Sequence, residues 1–236
     1  MEKMKILLVE DEKEIADLVE IYLKNEGYAV FKACDACEGL QALEQENFQL
    51  VLLDIMMPGM NGLEALREIR KTRTIPVIML TAKAEDMDKI MGLTTGADDY
   101  VTKPFHPLEL VARVKSQIRR YVYFNTQRSE EPPEDIIRMD GLNIYRQQHR
   151  VTLYDRPVNL TPIEFDILLL LASNPGRVFS AEEIFERVWK EKFYASNNTV
   201  MVHIRKIREK IEDEPGKNRY IKTVWGVGYK IEKQIS

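Results

Sequence analysis

From Leu50 to Gly59 the chain reads Leu-Val-Leu-Leu-Asp-Ile-Met-Met-Pro-Gly, an aliphatic run that stops at a carboxylate and is followed by a Pro-Gly turn. A strand that is apolar at successive positions, rather than alternate ones, has both faces covered, as inside a parallel sheet flanked by helices. Ligands of open α/β sheets lie beyond the carboxyl ends of such strands, so this reading puts Asp54 at the mouth of a site, on a rigid support. A lone aspartate here would equally suit a strand end or a turn cap. What stands at the neighbouring strand ends decides between these readings.

Four more strand-like runs occur nearby: Ile6 to Val9, Ala29 to Ala33, Pro76 to Leu80 and Asp99 to Thr102. Between them, apolar residues recur at helical spacing. Ile15, Leu18, Val19, Tyr22 and Leu23 form one such set, closed by Asn25-Glu26-Gly27. Leu40, Ala42 and Leu43 form the next, and Leu63, Leu66 and Ile69 follow an Asn61-Gly62 turn. Asp86 to Leu93, capped by Gly96, and Pro107 to Tyr121 complete the series. Five alternations of strand and helix predict a (βα)5 doubly wound, flavodoxin-like domain over residues 1–121.

In that sheet the strand ends bring Glu10-Asp11, Asp54, Thr81 and Lys103 to one edge. Carboxylates gathered there repel one another and call for a cation, and hard oxygen ligands with room for water suit Mg²⁺. Thr81 adds a hydroxyl and Lys103 a fixed positive charge. Such a site suits a phosphoryl group carried on one of its own carboxylates, with Asp54 as the nucleophile.

The net charge of −4 is unevenly spread: residues 1–120 carry −5, residues 121–136 carry −3 and residues 137–236 carry +4. An acidic front and a basic back predict different partners, with nucleic acid a candidate for the back. Residues 122–136, polar, charged and proline-bearing, read as a linker. Short strands follow: Ile136 to Met139, Leu142 to Ile144, Arg150 to Tyr154 and Pro157 to Leu160, with a hairpin turn at Asp155-Arg156. Thr161-Pro162-Ile163-Glu164 and Ser180-Ala181-Glu182-Glu183 both have the form of a capping box, each opening a helix. A third helix runs from Asn198 to Ile211, and Tyr220 to Val224 pairs with Gly228 to Ile231 around Trp225-Gly226-Val227. Strands, three helices and a closing hairpin describe a winged helix-turn-helix over residues 137–236. Its third helix carries His203, Arg205, Lys206, Arg208 and Lys210, a cationic set that fits a DNA major groove and its phosphates.

Glu10-Asp11, Asp54 with Pro58-Gly59, Thr81-Ala82 and Lys103-Pro104-Phe105 together resemble the receiver domain of two-component response regulators. The resemblance implies that Asp54 accepts phosphate from a sensor histidine kinase, and that Glu10, Asp11, Asp54 and the Met56 backbone carbonyl hold Mg²⁺. It implies that Thr81 and Lys103 contact the phosphate, that Tyr100 is the aromatic that turns inward as Thr81 moves, and that Lys103–Pro104 is cis. Residues 137–234 resemble the DNA-binding domain of the OmpR/PhoB subfamily. This implies Asn198, Met201 and Lys206 at base edges, with Thr199, His203, Arg205 and Arg208 nearer phosphates. The wing would lie at the adjacent minor groove. Trp225 stands where several members carry arginine, and an indole cannot read a narrow groove by charge.

The subfamily further implies cross-dimer ion pairs among Lys89, Asp98, Asp99, Glu109, Arg113 and Arg120, direct-repeat promoter sites, and RNA polymerase contact through the Trp189–Ser196 loop. Glu14 to Glu20, Ser196 to Val200 and Tyr220 to Lys230 are similar to one branch of the subfamily, which implies control of glycopeptide-resistance or cell-envelope genes.

The start runs from Met-Glu-Lys straight into a strand, predicting no signal peptide, and no apolar stretch reaches the roughly 18 residues of a membrane span. A cytoplasmic protein is expected. Cys34 and Cys37 have the spacing of a redox pair or half a zinc site, but without a second Cys pair or clustered histidines they read as ordinary cysteines. Two other functions compete with a phosphorylation switch: a permanently active DNA-binding protein with a degenerate receiver used only for dimerisation, and an enzyme, such as a phosphatase or hydrolase, on the doubly wound fold. The intact set of site residues argues against the first, and the absence of a second nucleophile–base pair against the second, so no enzyme is expected.

Overall fold

The computed structural model describes residues 3–82, 96–126, 135–190, 199–212 and 219–232. Two compact units divide the chain, residues 1–123 and 124–236.

The first unit holds a parallel sheet in the order β2-β1-β3-β4-β5, made of β1 (Lys5–Val9), β2 (Ala29–Ala33), β3 (Leu50–Asp54), β4 (Val77–Thr81) and β5 (Asp99–Thr102). Its described helices are α1 (Lys13–Asn25), α2 (Ala36–Gln45), α3 (Gly62–Thr72) and α4 (Pro107–Thr126). The helix expected over Asp86 to Leu93 lies outside the described residues. The unbroken apolar runs are explained by cores on both faces of the sheet. Leu7, Val9, Val51, Leu53, Val77 and Met79 face one core with Leu43 of α2 and Leu66 and Ile69 of α3. Ile6, Leu8, Leu50, Leu52, Ile78 and Leu80 face the other with Val19 and Leu23 of α1 and Leu110, Val114 and Ile118 of α4.

Two boundaries differ from expectation. Asn61-Gly62 is a helix start rather than a free turn: Asn61 is the N-cap of α3 and forms a reciprocal capping box with Glu64. Helix α4 runs on to Thr126, through the first residues of the expected linker. Val122 is packed against the core, and neither glycine nor proline interrupts the chain there.

In the second unit, β6 (Ile136–Met139), β7 (Leu142–Tyr145), β8 (Arg150–Leu153) and β9 (Arg156–Val158) form an antiparallel sheet in chain order. Helices α5 (Pro162–Ala172), α6 (Ala181–Trp189) and α7 (Thr199–Ile211) follow, then the hairpin β10 (Ile221–Val224) and β11 (Gly228–Ile231). The β8–β9 turn sits one residue earlier than expected, at Tyr154-Asp155, with φ of 46° and 63°. Positive φ at both central residues is the geometry of a tight two-residue hairpin, whose twist matches that of its strands.

Helix α5 is the core helix, with Ile163, Phe165, Ile167, Leu168 and Leu171 all buried. Its Thr161–Glu164 capping box is complete. The second one is half formed: Ser180 accepts from the Glu183 N–H, but the Glu183 carboxylate goes instead to Arg177 and Arg187.

Candidate functional site

Asp54 ends β3 with 2% of its surface exposed, at the same sheet edge as Glu10, Thr81 and Lys103. Its Oδ1 accepts from the Met56 backbone N–H at 3.3 Å, and its Oδ2 from Lys103 Nζ at 2.9 Å. The same ammonium donates to Glu10 Oε1 at 2.8 Å and lies 2.7 Å from Glu10 Oε2 without hydrogen-bond geometry to that atom. Burial and the charge on Asp54 push the Glu10 carboxyl up to about 7, against the lowering effect of Lys103. Burial pulls the Lys103 ammonium down, but its bonds to Glu10 and Asp54 outweigh this and hold it above the ordinary lysine value.

Glu12 supplies the third carboxylate. Ligand oxygens of Glu10, Glu12 and Asp54 lie within 4.8 Å of one another. Glu12 is the N-cap residue of α1, yet its side chain makes no capping bond and reaches instead to 3.5 Å from Lys103 Nζ. Asp11, the expected second carboxylate, is exposed and is not among the three that converge. Sequence reasoning passed over Glu12 because the strand ends before it; the signal available was its position two residues beyond Glu10.

Gly62 was also passed over as a site residue. A Cβ on it would lie 2.0 Å from the Asp54 carbonyl oxygen, while its N–H donates to Ile55 O at 3.0 Å. The first turn of α3 thus rests directly on the backbone of the Asp54 strand end, an approach open only to glycine.

Thr81 is buried at the end of β4, beside Thr102. Lys103 follows β5, its N–H donating to Thr81 O at 2.6 Å, and the Lys103–Pro104 bond is cis. Tyr100 pairs with Met79 in the β4–β5 register and is half-buried against the core on the α2–α3 side.

Of the residues expected at a dimer surface, Asp98 departs most clearly. It is fully buried and its Oδ2 accepts from Arg70 at 2.6 Å and from the Val77 N–H at 2.8 Å. Arg70 also donates to Gly96 O and Ile75 O, so this pair fastens α3 to the starts of β4 and β5. Asp99 pairs with Arg113 at 3.1 Å, and Arg113 with Glu109 at 3.0 Å. Arg120 donates to Gln117. Lys89 lies outside the described residues.

In the second unit, α7 presents Met201 and Arg205 to solvent, with Lys206 half-exposed; both cations pair with Glu209. Thr199 and His203, expected near phosphates, are buried, His203 at 1% exposure against the Trp189 ring. They fall on the helix face occupied by Val200, Ile204 and Ile207, which turns them to the core rather than to a phosphate. Arg208 is likewise turned inward: it donates to Ile221 O at 2.7 Å and Thr223 Oγ1 at 2.8 Å, fastening α7 to β10. Asn198 and residues 191–196 of the expected polymerase loop lie outside the described residues. Trp225 is 89% exposed at the hairpin tip. Cys34 and Cys37 are exposed and free. Among the described residues no helix is long and apolar enough to cross a membrane.

Known proteins match this architecture over nearly the whole chain. Residues 6–115 match the response regulator receiver domain, and residues 155–231 the C-terminal domain of transcriptional regulatory proteins. The regulatory protein VanRc of Enterococcus gallinarum is 53% identical over 97% of this chain and 99% of its own. VanR of Enterococcus faecium is 52% identical over the same shares. A solved structure of a RitR mutant, 27% identical, covers 98% of this chain and 100% of its own with a TM-score of 0.72. A carboxylate-lined receiver edge joined in one chain to a winged helix, with such relatives, leaves one family: the chain belongs to the two-component response regulators of OmpR/PhoB type, phosphorylation-dependent regulators of transcription.

Proposed function

We propose that Asp54 is the phosphoacceptor. Its carboxylate oxygen attacks the phosphorus of a phosphohistidine on a sensor kinase, the P–N bond breaks, and an acyl phosphate forms on Asp54. The observation that carries this reading is the convergence on Asp54 of Lys103 and two further carboxylates. The donor set, all oxygen and partly open to solvent through Glu12, fits a hard divalent cation, and Mg²⁺ held by Glu10, Asp54 and the Met56 carbonyl, with Asp11 or Glu12, would offset the charge on the phosphoryl oxygens. Lys103 is already bonded to Asp54 and moves only to an oxygen of the new phosphate. Thr81 donates its hydroxyl to another, and Tyr100, half-buried beside β4, turns inward behind it.

That change is proposed to favour a dimer in which Asp99, Glu109, Arg113, Arg120 and Lys89 exchange local pairs for pairs across the interface. Dimerisation brings two winged helices onto direct-repeat promoter sites and raises affinity by avidity. Arg205, Lys206 and Met201 are the groove-facing residues of α7. RNA polymerase is the proposed further partner, and glycopeptide-resistance or cell-envelope genes are the proposed targets.

Intact mass after incubation with acetyl phosphate and Mg²⁺ tests the chemistry. The native chain is expected to gain one phosphoryl group, and Asp54→Ala none. Equal labelling of both, or of neither, overturns Asp54 as the acceptor.

A further inference from the structure

The wing hairpin combines two features that its own fold does not explain. At its tip Trp225 and Val227 are 89% and 58% exposed, on either side of Gly226 with its φ of +72°. An indole and an isopropyl group both left in water are a standing cost, because Trp normally contributes a large buried area. In the stem, Lys222 lies directly opposite Lys230 in the β10–β11 register. Like charges at opposed positions weaken a hairpin, and Glu232 compensates Lys230 through a 2.8 Å ion pair at the far end of the strand from the tip.

The hairpin is nevertheless held firmly. Phe179 and Tyr229 exchange backbone bonds of 2.9 Å in both directions. A Cβ at Gly228 would lie 1.9 Å from Phe179 O, so only glycine permits that approach. Arg208 fastens β10 to α7, the helix that carries Arg205 and Lys206. The strand faces are set by this anchoring: Ile221 and Ile231 point into the core, so Lys222 and Lys230, one residue away on each strand, point to the opposite face.

We propose that the wing is an apolar wedge for a DNA minor groove, with Trp225 and Val227 packing on deoxyribose and base edges and Lys222 and Lys230 facing the flanking phosphates. The occupant is argued from charge complementarity and from continuity with α7. A cationic stem below an apolar tip matches a groove whose walls are phosphate and whose floor is sugar and base. Apolar side chains are also the groups with which minor-groove proteins part base steps and bend the duplex. The inference rests on the second unit being a DNA-binding domain, and it replaces readout by charge at the wing tip with readout by deformability.

Tryptophan emission tests it on the full-length chain, because Trp189 is buried and Trp225 is exposed. The probe is a short duplex recovered from a random-sequence library by selection on the full-length chain, with binding followed separately by anisotropy of a dye on the DNA. At saturation the native emission is expected to shift and quench, while Trp225→Phe, which retains Trp189, shows no change. Trp225→Ala is expected to bind about tenfold more weakly with an unchanged salt slope and a smaller duplex bend, as befits a lost stacking contact. Lys222→Gln should shallow the salt slope by about one. Binding with no change in native emission, or a Trp225→Ala chain that binds and bends DNA as the native one does, overturns the wedge and leaves the DNA-binding reading intact. Failure to recover any duplex, with the chain untreated or phosphorylated with acetyl phosphate and Mg²⁺, overturns both.

Discussion

Lys103 Nζ stands 2.9 Å from Asp54 Oδ2 and shares its charge with Glu10 across the same sheet edge. The ammonium proposed to meet a phosphoryl oxygen is therefore already bonded to the proposed nucleophile, so that reading requires little reorganisation when charge arrives. Burial, with the charge on Asp54 beside it, raises the Glu10 carboxyl to about 7 against the lowering effect of Lys103.

That arrangement sets a pH dependence. Glu10 rises from 4.5 to about 7 in the folded chain, first through burial and then through the charge on Asp54, with Lys103 opposing. A carboxyl that holds its proton longer folded than unfolded stabilises the fold at low pH. The contribution is complete below 4.5 and is lost as pH rises to about 7. Denaturant titrations in a chelating buffer should show the native chain losing on the order of 2 kcal/mol between pH 5 and pH 8 relative to Glu10→Gln. Saturating Mg²⁺ should restore most of that at pH 8. Parallel profiles for the two chains would show that Glu10 does not titrate in this window.

Gly62→Ala tests how far the site depends on the start of α3. The added Cβ would meet the Asp54 carbonyl oxygen at 2.0 Å, so either α3 or the strand end must move. A loss of about 3 kcal/mol is expected from overpacking against backbone, together with slower phosphoryl uptake by intact mass. Gly27→Ala, whose Cβ meets nothing but whose φ is +88°, provides a control for glycine loss remote from the site. Uptake at the native rate in a Gly62→Ala chain would detach the first turn of α3 from the chemistry.

The receiver sheet was legible because burial on both faces writes unbroken apolar runs into its strands, and the site was legible because those runs end in charge. Glu12 and Gly62 were not, since one acts from the cap of a helix and the other through a missing side chain. On α7 the cationic pattern was visible from sequence, but the angle of the helix to its core was not. Sequence alone therefore places His203 and Arg208 at DNA although the fold turns them inward. Asp98 shows the same limit: a carboxylate beside Asp99 looks like surface until its guanidinium partner, Arg70, arrives from a distant helix.

Arg205 and Arg208 should separate sharply on mutation. Arg208→Ala removes charge-assisted bonds to Ile221 O and Thr223, so it should destabilise the second unit by about 2 kcal/mol and loosen the wing. Arg205→Ala removes an exposed cation paired, among the described residues, to Glu209 on the same helix, so stability should change by less than about 0.5 kcal/mol. Its effect should appear instead as weaker binding to every duplex and a salt slope shallower by about one. His203→Ala should resemble Arg208→Ala in losing stability. A stable His203→Ala chain with a shallower salt slope would place that imidazole back at the phosphates.

Asp98 and Asp99 adjoin in sequence but face different tasks. Asp98→Asn leaves the Arg70 guanidinium, itself 14% exposed, beside a buried neutral amide, and breaking such a pair from one side costs about 3 kcal/mol. Asp99, 7% exposed, sits in a network with Arg113 and Glu109 that reaches the surface through Glu109, so Asp99→Asn should cost about 1–2 kcal/mol of stability, less than Asp98→Asn. The proposed dimer makes the opposite demand. After phosphorylation with acetyl phosphate, sedimentation should show a full dimer for the native chain and a weakened one for Asp99→Asn. A double variant, Arg70→Met with Asp98→Leu, replaces the buried pair by apolar side chains and should recover both stability and dimerisation, because Asp98 fastens α3 to the sheet. If that variant folds as stably as the native chain but fails to dimerise, Asp98 belongs to the interface after all and the receiver must open its α3 edge to expose it.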